Sequence, residues 1–231
     1  MMSATNRRQK ETGEFYKRHA SDLYHTPLEM IQDLFEHIPE LFEDMNDRLA
    51  LDPCAGGLID NGKVLFDMPY PTVLKEYGWN DNNLLTLDVR EDSLAEIKHN
   101  FLTWDNPDNL TFDLIITNPP FLIAEQIARK CFDLVCPDSG KVILLQRFDW
   151  FGSKERDPFF KQFPLSMEVS HAKRPAFGGV LGKDGLPIKQ TDSCYYSHYI
   201  WDNSDKSNSL ERGHQRLRIQ TDYSKEQGKL F

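Results

Sequence analysis

Short runs of unbroken apolar residues alternate along this chain with stretches in which apolar positions recur every three or four residues. The unbroken runs are Leu49-Ala50-Leu51-Asp52, Leu84-Leu85-Thr86-Leu87-Asp88, Asp113-Leu114-Ile115-Ile116-Thr117 and Lys141-Val142-Ile143-Leu144-Leu145. Strands that read this way are covered on both faces, as in a parallel sheet. Helical spacing appears at Leu28, Ile31, Leu34, Phe35 and Ile38, with Thr26 placed as N-cap and Pro27 as first helical residue. A second helix is predicted from about Thr72 to Tyr77. A third is predicted over residues 122 to about 136, with Ile123, Ile127, Cys131 and Leu134 on one face and Pro137 and Gly140 ending it. Residues 58 to about 73 read as an irregular loop, in which Tyr70 is either a cover over a ligand or a packed aromatic. Ser193 to Trp201 alternates with strong β propensity and is predicted as an antiparallel strand. Strands alternating with helices give an α/β fold, a mostly parallel, doubly wound sheet with an antiparallel C-terminal strand.

The 231 residues suit one domain, predicted over 21–202, with a polar N-terminal arm (1–20) and a polar C-terminal tail (203–231). The arm carries Arg7, Arg8, Lys10, Lys17 and Arg18, and the tail Arg212, Arg216 and Arg218. No apolar run approaches the roughly 20 residues of a membrane span, and the N-terminus lacks the core of a signal peptide, so a cytosolic protein with no membrane partner is expected. Cys54, Cys131, Cys136 and Cys194 show no metal-ligand spacing; free thiols and no metal are expected.

A net charge of −9 argues against indiscriminate nucleic-acid binding. The charge is uneven. From Lys141 to Lys189 nine Lys and Arg stand against five Asp and Glu, a local +4 that leaves −13 on the remainder. Within it, Arg147, Phe148, Trp150, Phe151, Lys154, Arg156, Phe159 and Phe160 interleave cations with aromatics. That texture reads either as a nucleic-acid edge or as a packed element with a solvated face. Arg174 and Phe177 follow before a loop containing Gly182, Gly185 and Pro187.

Ligands in such sheets gather at the carboxyl ends of the strands, where Asp52, Asp88, Asn100 and Asn118 all fall. Asp52-Pro53-Cys54-Ala55-Gly56-Gly57 is a strand entering a glycine turn, which lets a ligand approach the backbone. Asp88 either accepts hydrogen bonds from a vicinal diol or caps a helix; Phe101 is either a ligand contact or core. After Thr117 the chain enters Asn118-Pro119-Pro120-Phe121. Two prolines stop the sheet, hold the backbone extended and leave its carbonyls available. With the Asn118 amide, such a segment can accept both hydrogens of a planar exocyclic amine, while Phe121 offers a ring face.

Asn118-Pro119-Pro120-Phe121 resembles the catalytic Asn-Pro-Pro-Phe of AdoMet-dependent adenine-N6 methyltransferases, especially small stand-alone enzymes of phages and prophages of Gram-positive bacteria. The resemblance covers about residues 24 to 201. It implies a Rossmann-like methyltransferase fold, S-adenosyl-L-methionine (AdoMet) as cofactor, and methylation of adenine N6 in DNA in a bacterial or phage-infected cytosol. It implies that Thr26-Pro27 help hold the methionine part of the cofactor and that Tyr24 is a further cofactor contact. It further implies that Asp52 to Gly57 form the cofactor turn, Asp88 takes the ribose, and Asn100 and Phe101 flank the adenine ring. The family turn usually reads Asp-Pro-x-x-Gly-x-Gly; here the second glycine comes one position early and Leu58 occupies its place. Asn118, which is also implied as a cofactor contact, and the Pro119 carbonyl would then orient N6, beside Pro120, and Phe121 would stack on the base. Arg147, Lys154, Arg156, Arg174 and Phe177 become candidate contacts to the nucleic acid, with Phe177 stacking on an extruded base. RNA adenine, a protein glutamine, or AdoMet binding without turnover remain open alternatives; Phe121 favours adenine, because glutamine enzymes more often carry Tyr there.

Overall fold

The computed structural model describes residues 24–43, 48–181, 187–191, 193–205 and 215–219. The expected N-terminal arm, Gly182 and Gly185 of the expected loop, and Arg212 of the tail lie outside these residues.

Each predicted apolar run is a strand: β1 (Ala50–Asp52), β4 (Leu84–Asp88), β6 (Leu114–Thr117) and β7 (Lys141–Arg147). With the two-residue β5 (Ile97–Lys98) they form a parallel array in the order β5-β4-β1-β6-β7. Beyond β7 the sheet changes sense. Strand β11 (Tyr196–Asp202) runs antiparallel to β7 and to β8 (Met167–His171), and β12 (Gln215–Ile219) pairs parallel with β8 at the edge. The fold class is therefore the one expected, and β11 is the expected antiparallel strand. Strand β12 lies in the segment expected as a polar tail: Leu217 and Ile219 pack on the core while Arg216 and Arg218 are exposed.

Helices α1 (Leu28–His37) and α2 (Pro69–Glu76) cover one face of the sheet, and α3 (Ala124–Leu134) and α4 (Asp157–Gln162) the other. Burial on both faces explains why these strands carry continuous apolar runs. Helix α3 starts after a 3-10 turn at Phe121–Ile123 and buries Ala124, Ile127, Ala128 and Cys131.

Three local expectations are corrected. Thr26 does not cap α1. The N-cap is Pro27, whose carbonyl accepts from the Met30 amide, and the Thr26 hydroxyl is engaged elsewhere. The expected irregular loop is a hairpin, β2 (Leu58–Asp60) and β3 (Lys63–Phe66), turned by Asn61 and Gly62 at φ of 48° and 77°. Positive φ at both central residues suits a tight hairpin, and Asn-Gly between apolar runs is its sequence signal. Helix α2 begins at Pro69, where a missing N–H does no harm. This start buries Tyr70, whose hydroxyl pairs with His198 Nε2 at 3.0 Å; it is a core group.

Strand order places β1 between two strands whose connections leave in opposite directions, a switch point between β1 and β6. A crevice forms at the carboxyl end of such a pair.

Candidate active site

Asp52 ends β1, Asp88 ends β4, and Asn118 directly follows β6, so all three stand along one edge of the sheet, Asp88 and Asn118 lining its crevice. Around it lie Pro53, Cys54 and Gly56 from the first turn, and Asp88, Val89 and Arg90 from the second. Asn100 and Phe101 close one side. Tyr24, Asn118, Pro119, Pro120 and Phe121 form the opposite wall, with Ile123 and Ile127 from the start of α3. Residues of the glycine turn, of the end of β4 and of the Asn118 to Phe121 segment share one cleft.

Local geometry follows from the residue types. Gly56 and Gly57 sit at φ of 74° and 73°, and a Cβ on Gly57 would lie 2.8 Å from Leu94 Cβ, so only glycine fits there. The Gly56 amide donates to Asp88 Oδ2 at 2.9 Å, which ties the first turn to the end of β4. Asp88 Oδ1 accepts from the Arg90 amide at 2.9 Å and faces Arg90 Nε at 3.2 Å. Buried Arg90 also donates to the Gly57 carbonyl at 2.7 Å and to Asp92 at 3.0 Å. Arg90 thus staples the glycine turn to the acidic strand end. The sequence reading passed over it; its signal was a charged residue two positions after a strand-terminal acid.

Asp52 lies behind the cleft surface and is fully buried. Its Oδ1 accepts from the Cys54 amide at 3.1 Å. Burial pushes its carboxyl up to about 7, the charge of Asp88 adds to the shift, and the Thr117 hydroxyl and Cys54 amide oppose it. Burial likewise pushes the Cys54 thiol well above its usual range, so Cys54 is a poor nucleophile. Asn100 caps the 3-10 turn at Phe101–Thr103, its Oδ1 accepting from the Leu102 amide at 3.0 Å; Phe101 is buried but reaches the cleft. Ala55, Gly57, Thr26 and Pro27 are buried around the cleft and do not line it.

The Asn118 amide nitrogen donates to Thr26 Oγ1 at 3.0 Å and, more weakly, towards the Tyr24 carbonyl at 3.4 Å. The Pro120 carbonyl accepts from the Ile123 amide and starts the 3-10 turn; among the described residues no hydrogen bond occupies the Pro119 carbonyl. Phe121 is half-buried, its ring 5.7 Å from Tyr24 and 5.6 Å from Tyr196. Phe177 is only 3% exposed and is held edge-on by Tyr24 and Tyr196, at 5.6 and 4.9 Å. It backs the aromatic wall and offers no open face for a base, because β9 (Ala176–Leu181) brings it under Tyr24.

The basic candidates stand apart from the cleft. Arg147 is exposed and paired with Asp149 at 3.0 Å; Lys154 and Arg174 are exposed. Arg156 lies 5.6 Å over the ring of Trp150. The aromatics expected to interleave with them have mostly turned inward: Trp150, Phe159 and Phe160 pack with Tyr199 and Trp201 in the core under α3 and α4. Phe148 remains 45% exposed. Among the described residues no cluster of three or more His, Cys, Asp or Glu could hold a metal, and no helix is long and apolar enough to cross a membrane.

No protein-family profile matches the chain, and no curated protein matches it in sequence. Its structure is similar to solved ones. A protein of Listeria monocytogenes assigned to the class I S-adenosylmethionine-dependent methyltransferases aligns with a TM-score of 0.58 at 10% identity, over 91% of this chain and 69% of that one. The M protein of the type I restriction enzyme EcoKI aligns at 0.51 and 13% identity, over 78% of this chain and 44% of that one. The methyltransferase subunit of a type I restriction-modification system from Streptococcus thermophilus aligns at 0.53 and 12%, over 82% and 47%. The chain thus spans less than half the length of either restriction-modification subunit. Strand order, the antiparallel β11 and these alignments agree that the chain has the fold of the class I S-adenosylmethionine-dependent methyltransferases.

Proposed function

We propose that this protein transfers a methyl group from AdoMet to the N6 amine of adenine in DNA. One observation carries the reading: Asn118 to Phe121 line the same cleft as Gly56, Asp88, Asn100 and Phe101. An amine-binding wall and a wall suited to a nucleoside thus face each other.

The second wall fits AdoMet by its chemistry. A carboxylate at Asp88 can accept further hydrogen bonds from a vicinal diol, Phe101 and Ile127 give apolar cover for a purine, and the Gly56 backbone leaves room for close approach. Bound AdoMet would supply a methyl group on a sulfonium sulfur, a strong electrophile whose leaving group is a neutral thioether. The protein's task is then positioning. Asn118 Oδ1 and the Pro119 carbonyl accept the two N6 hydrogens and aim the nitrogen lone pair, while Phe121 fixes the plane of the base. A nitrogen–carbon bond forms as the sulfur–methyl bond breaks, and that bond's electron pair stays on sulfur. The positively charged nitrogen then releases a proton to water, so no strongly perturbed base is needed.

The two restriction-modification neighbours support DNA as the methyl acceptor, and so does the local positive charge between Lys141 and Lys189. The identity of the product tests the proposal. Purified protein, isotope-labelled AdoMet and unmethylated DNA, RNA or a protein extract are incubated separately, and the digests are analysed by mass spectrometry. N6-methyldeoxyadenosine is expected. Label confined to RNA adenine or to glutamine would move the substrate, and AdoMet binding without any transfer would leave a non-catalytic binder.

A further inference from the structure

We infer that Thr26 is a positioning residue for the reaction: it acts through Asn118, holding the carboxamide in the orientation that the Tyr24 carbonyl sets. The inference rests on the proposed methyl transfer to adenine and differs from the cofactor contact that the resemblance implies for this threonine. Thr26 is 1% exposed and does not line the cleft, so its hydroxyl does not present itself to a ligand there. It lies 3.0 Å from Asn118 Nδ2.

The two ends of a carboxamide are nearly equal in size and opposite in hydrogen bonding, so the environment decides its orientation. Here the second partner of the Asn118 amide is the Tyr24 carbonyl, at 3.4 Å. A carbonyl oxygen can only accept, so nitrogen must face it; the flipped amide would set oxygen against oxygen. The nitrogen therefore points at Tyr24 and Thr26, and Oδ1 is left towards the cleft. An amine substrate needs that polarity, because both of its hydrogens require acceptors. A flipped Asn118 would present donors to donors.

The segment that sets this polarity is itself held. The His25 amide donates to the Gly178 carbonyl at 3.1 Å and the Gly178 amide returns a bond to the His25 carbonyl at 2.9 Å. A Cβ on Gly178 would lie 2.8 Å from the Phe66 ring and 3.1 Å from His25 Cβ, so this close approach needs glycine. On the other side Pro27 leads into α1. Tyr24 and Thr26 thus meet Asn118 from a strut anchored at both ends.

The test compares wild type, Thr26→Val and Thr26→Ser. Valine keeps the shape and removes the acceptor; serine restores it. Thr26→Val should lower kcat roughly five- to tenfold, the size of one lost neutral hydrogen bond, with the AdoMet Kd unchanged. Thr26→Ser should recover most of the rate. In an Asn118→Ala background Thr26→Val should have no further effect on transfer. A structural readout runs alongside: the Asn118 side-chain amide protons, assigned by their loss in Asn118→Ala, should exchange slowly with solvent in wild type and Thr26→Ser and fast in Thr26→Val. An AdoMet Kd weakened in step with kcat/KM at unchanged kcat would overturn the inference and return Thr26 to the cofactor. Unaltered amide exchange in a folded Thr26→Val would also overturn it. A wild-type protein that methylates no adenine would defeat the proposed function, and the amide exchange would still decide the orientation of Asn118.

Discussion

Two regions of this molecule use the same residue types to opposite ends. In the cleft at the carboxyl ends of β1, β4 and β6, aromatic and charged groups remain partly open: Phe121 is half-buried, and Asp88 and Asn118 meet the surface of the crevice. In the antiparallel part, around β7, β8 and β11, Trp150, Phe159, Phe160, Tyr199 and Trp201 interlock, mostly edge to face, and His171 and His198 are buried on the opposite side of the sheet, where His198 meets Tyr70. Position relative to the strand ends, rather than composition, decides which aromatics are left to meet a ligand.

Substitutions in the two regions should separate chemistry from stability. Asn118→Ala should reduce methyl transfer by about 100-fold or more, since it deletes a preorganised acceptor, with little change in melting temperature. Trp150→Ala should do the reverse. Removing a buried indole costs about 3–5 kcal/mol, and the remaining folded protein should turn over at the wild-type rate. Both outcomes are read from thermal melts beside transfer assays on the soluble fraction. Equal loss of stability in the two variants would erase the contrast.

Arg90 joins the two kinds of behaviour. Arg90→Ala leaves the buried Asp88 carboxylate without its counter-ion, at a cost of about 3 kcal/mol, and frees the glycine turn at Gly57. Its AdoMet Kd should rise more than its kcat falls. Calorimetric titration of AdoMet checks this, and unchanged affinity would show that the turn holds its shape unaided.

A smaller effect belongs to the buried histidines. His171 Nε2 and His198 Nδ1 lie 2.8 Å apart, and His198 Nε2 meets Tyr70. Burial lowers the His171 imidazole to about 3, with His37 adding, and carries His198 well below its usual range. Unfolded histidine takes up its proton near pH 6.5, so the unfolded chain binds more protons than the folded one below that value. Stability from this pair is complete above about pH 6.5 and is lost as pH falls towards 3. Wild type should therefore lose melting temperature relative to His171→Gln between pH 6.5 and 4.5; a constant difference would contradict the depressed value. Asp52 has the opposite sign, because its raised value favours the folded state at low pH, and it is common to both proteins.

The smallest effects should come from the exposed cations. Lys154→Ala and Arg174→Ala should each weaken DNA binding a few-fold and lower the salt dependence by about one counter-ion, with no change in AdoMet affinity. Binding measured across a salt series tests whether the basic segment follows phosphate at all.

Much of the fold was legible in the sequence because strands buried on both faces leave unbroken apolar runs with acids at their ends. Asp52, Asp88 and Asn118 could be assigned to one edge of the sheet on that ground alone. The hairpin at Leu58–Phe66 reads as an irregular loop although Asn61-Gly62 announces it, because its two strands are short and mostly exposed and so leave no apolar run. Strand β12 was hidden in a polar segment, since an edge strand needs only Leu217 and Ile219 on its inner face. Phe177 and Trp150 could not be assigned from composition: a ring beside an arginine reads alike whether it stacks on a base or on another ring. The partnership of Thr26 with Asn118 spans 92 positions and left no local trace.

The proposed reaction places donor and acceptor in one cleft, with Asn118 serving the acceptor alone. The most direct measurement is label transfer to DNA adenine by Asn118→Ala saturated with AdoMet, its occupancy measured in the same sample. Full occupancy is expected, with transfer reduced by about 100-fold or more. Transfer to adenine at the wild-type rate from an equally occupied variant would contradict it.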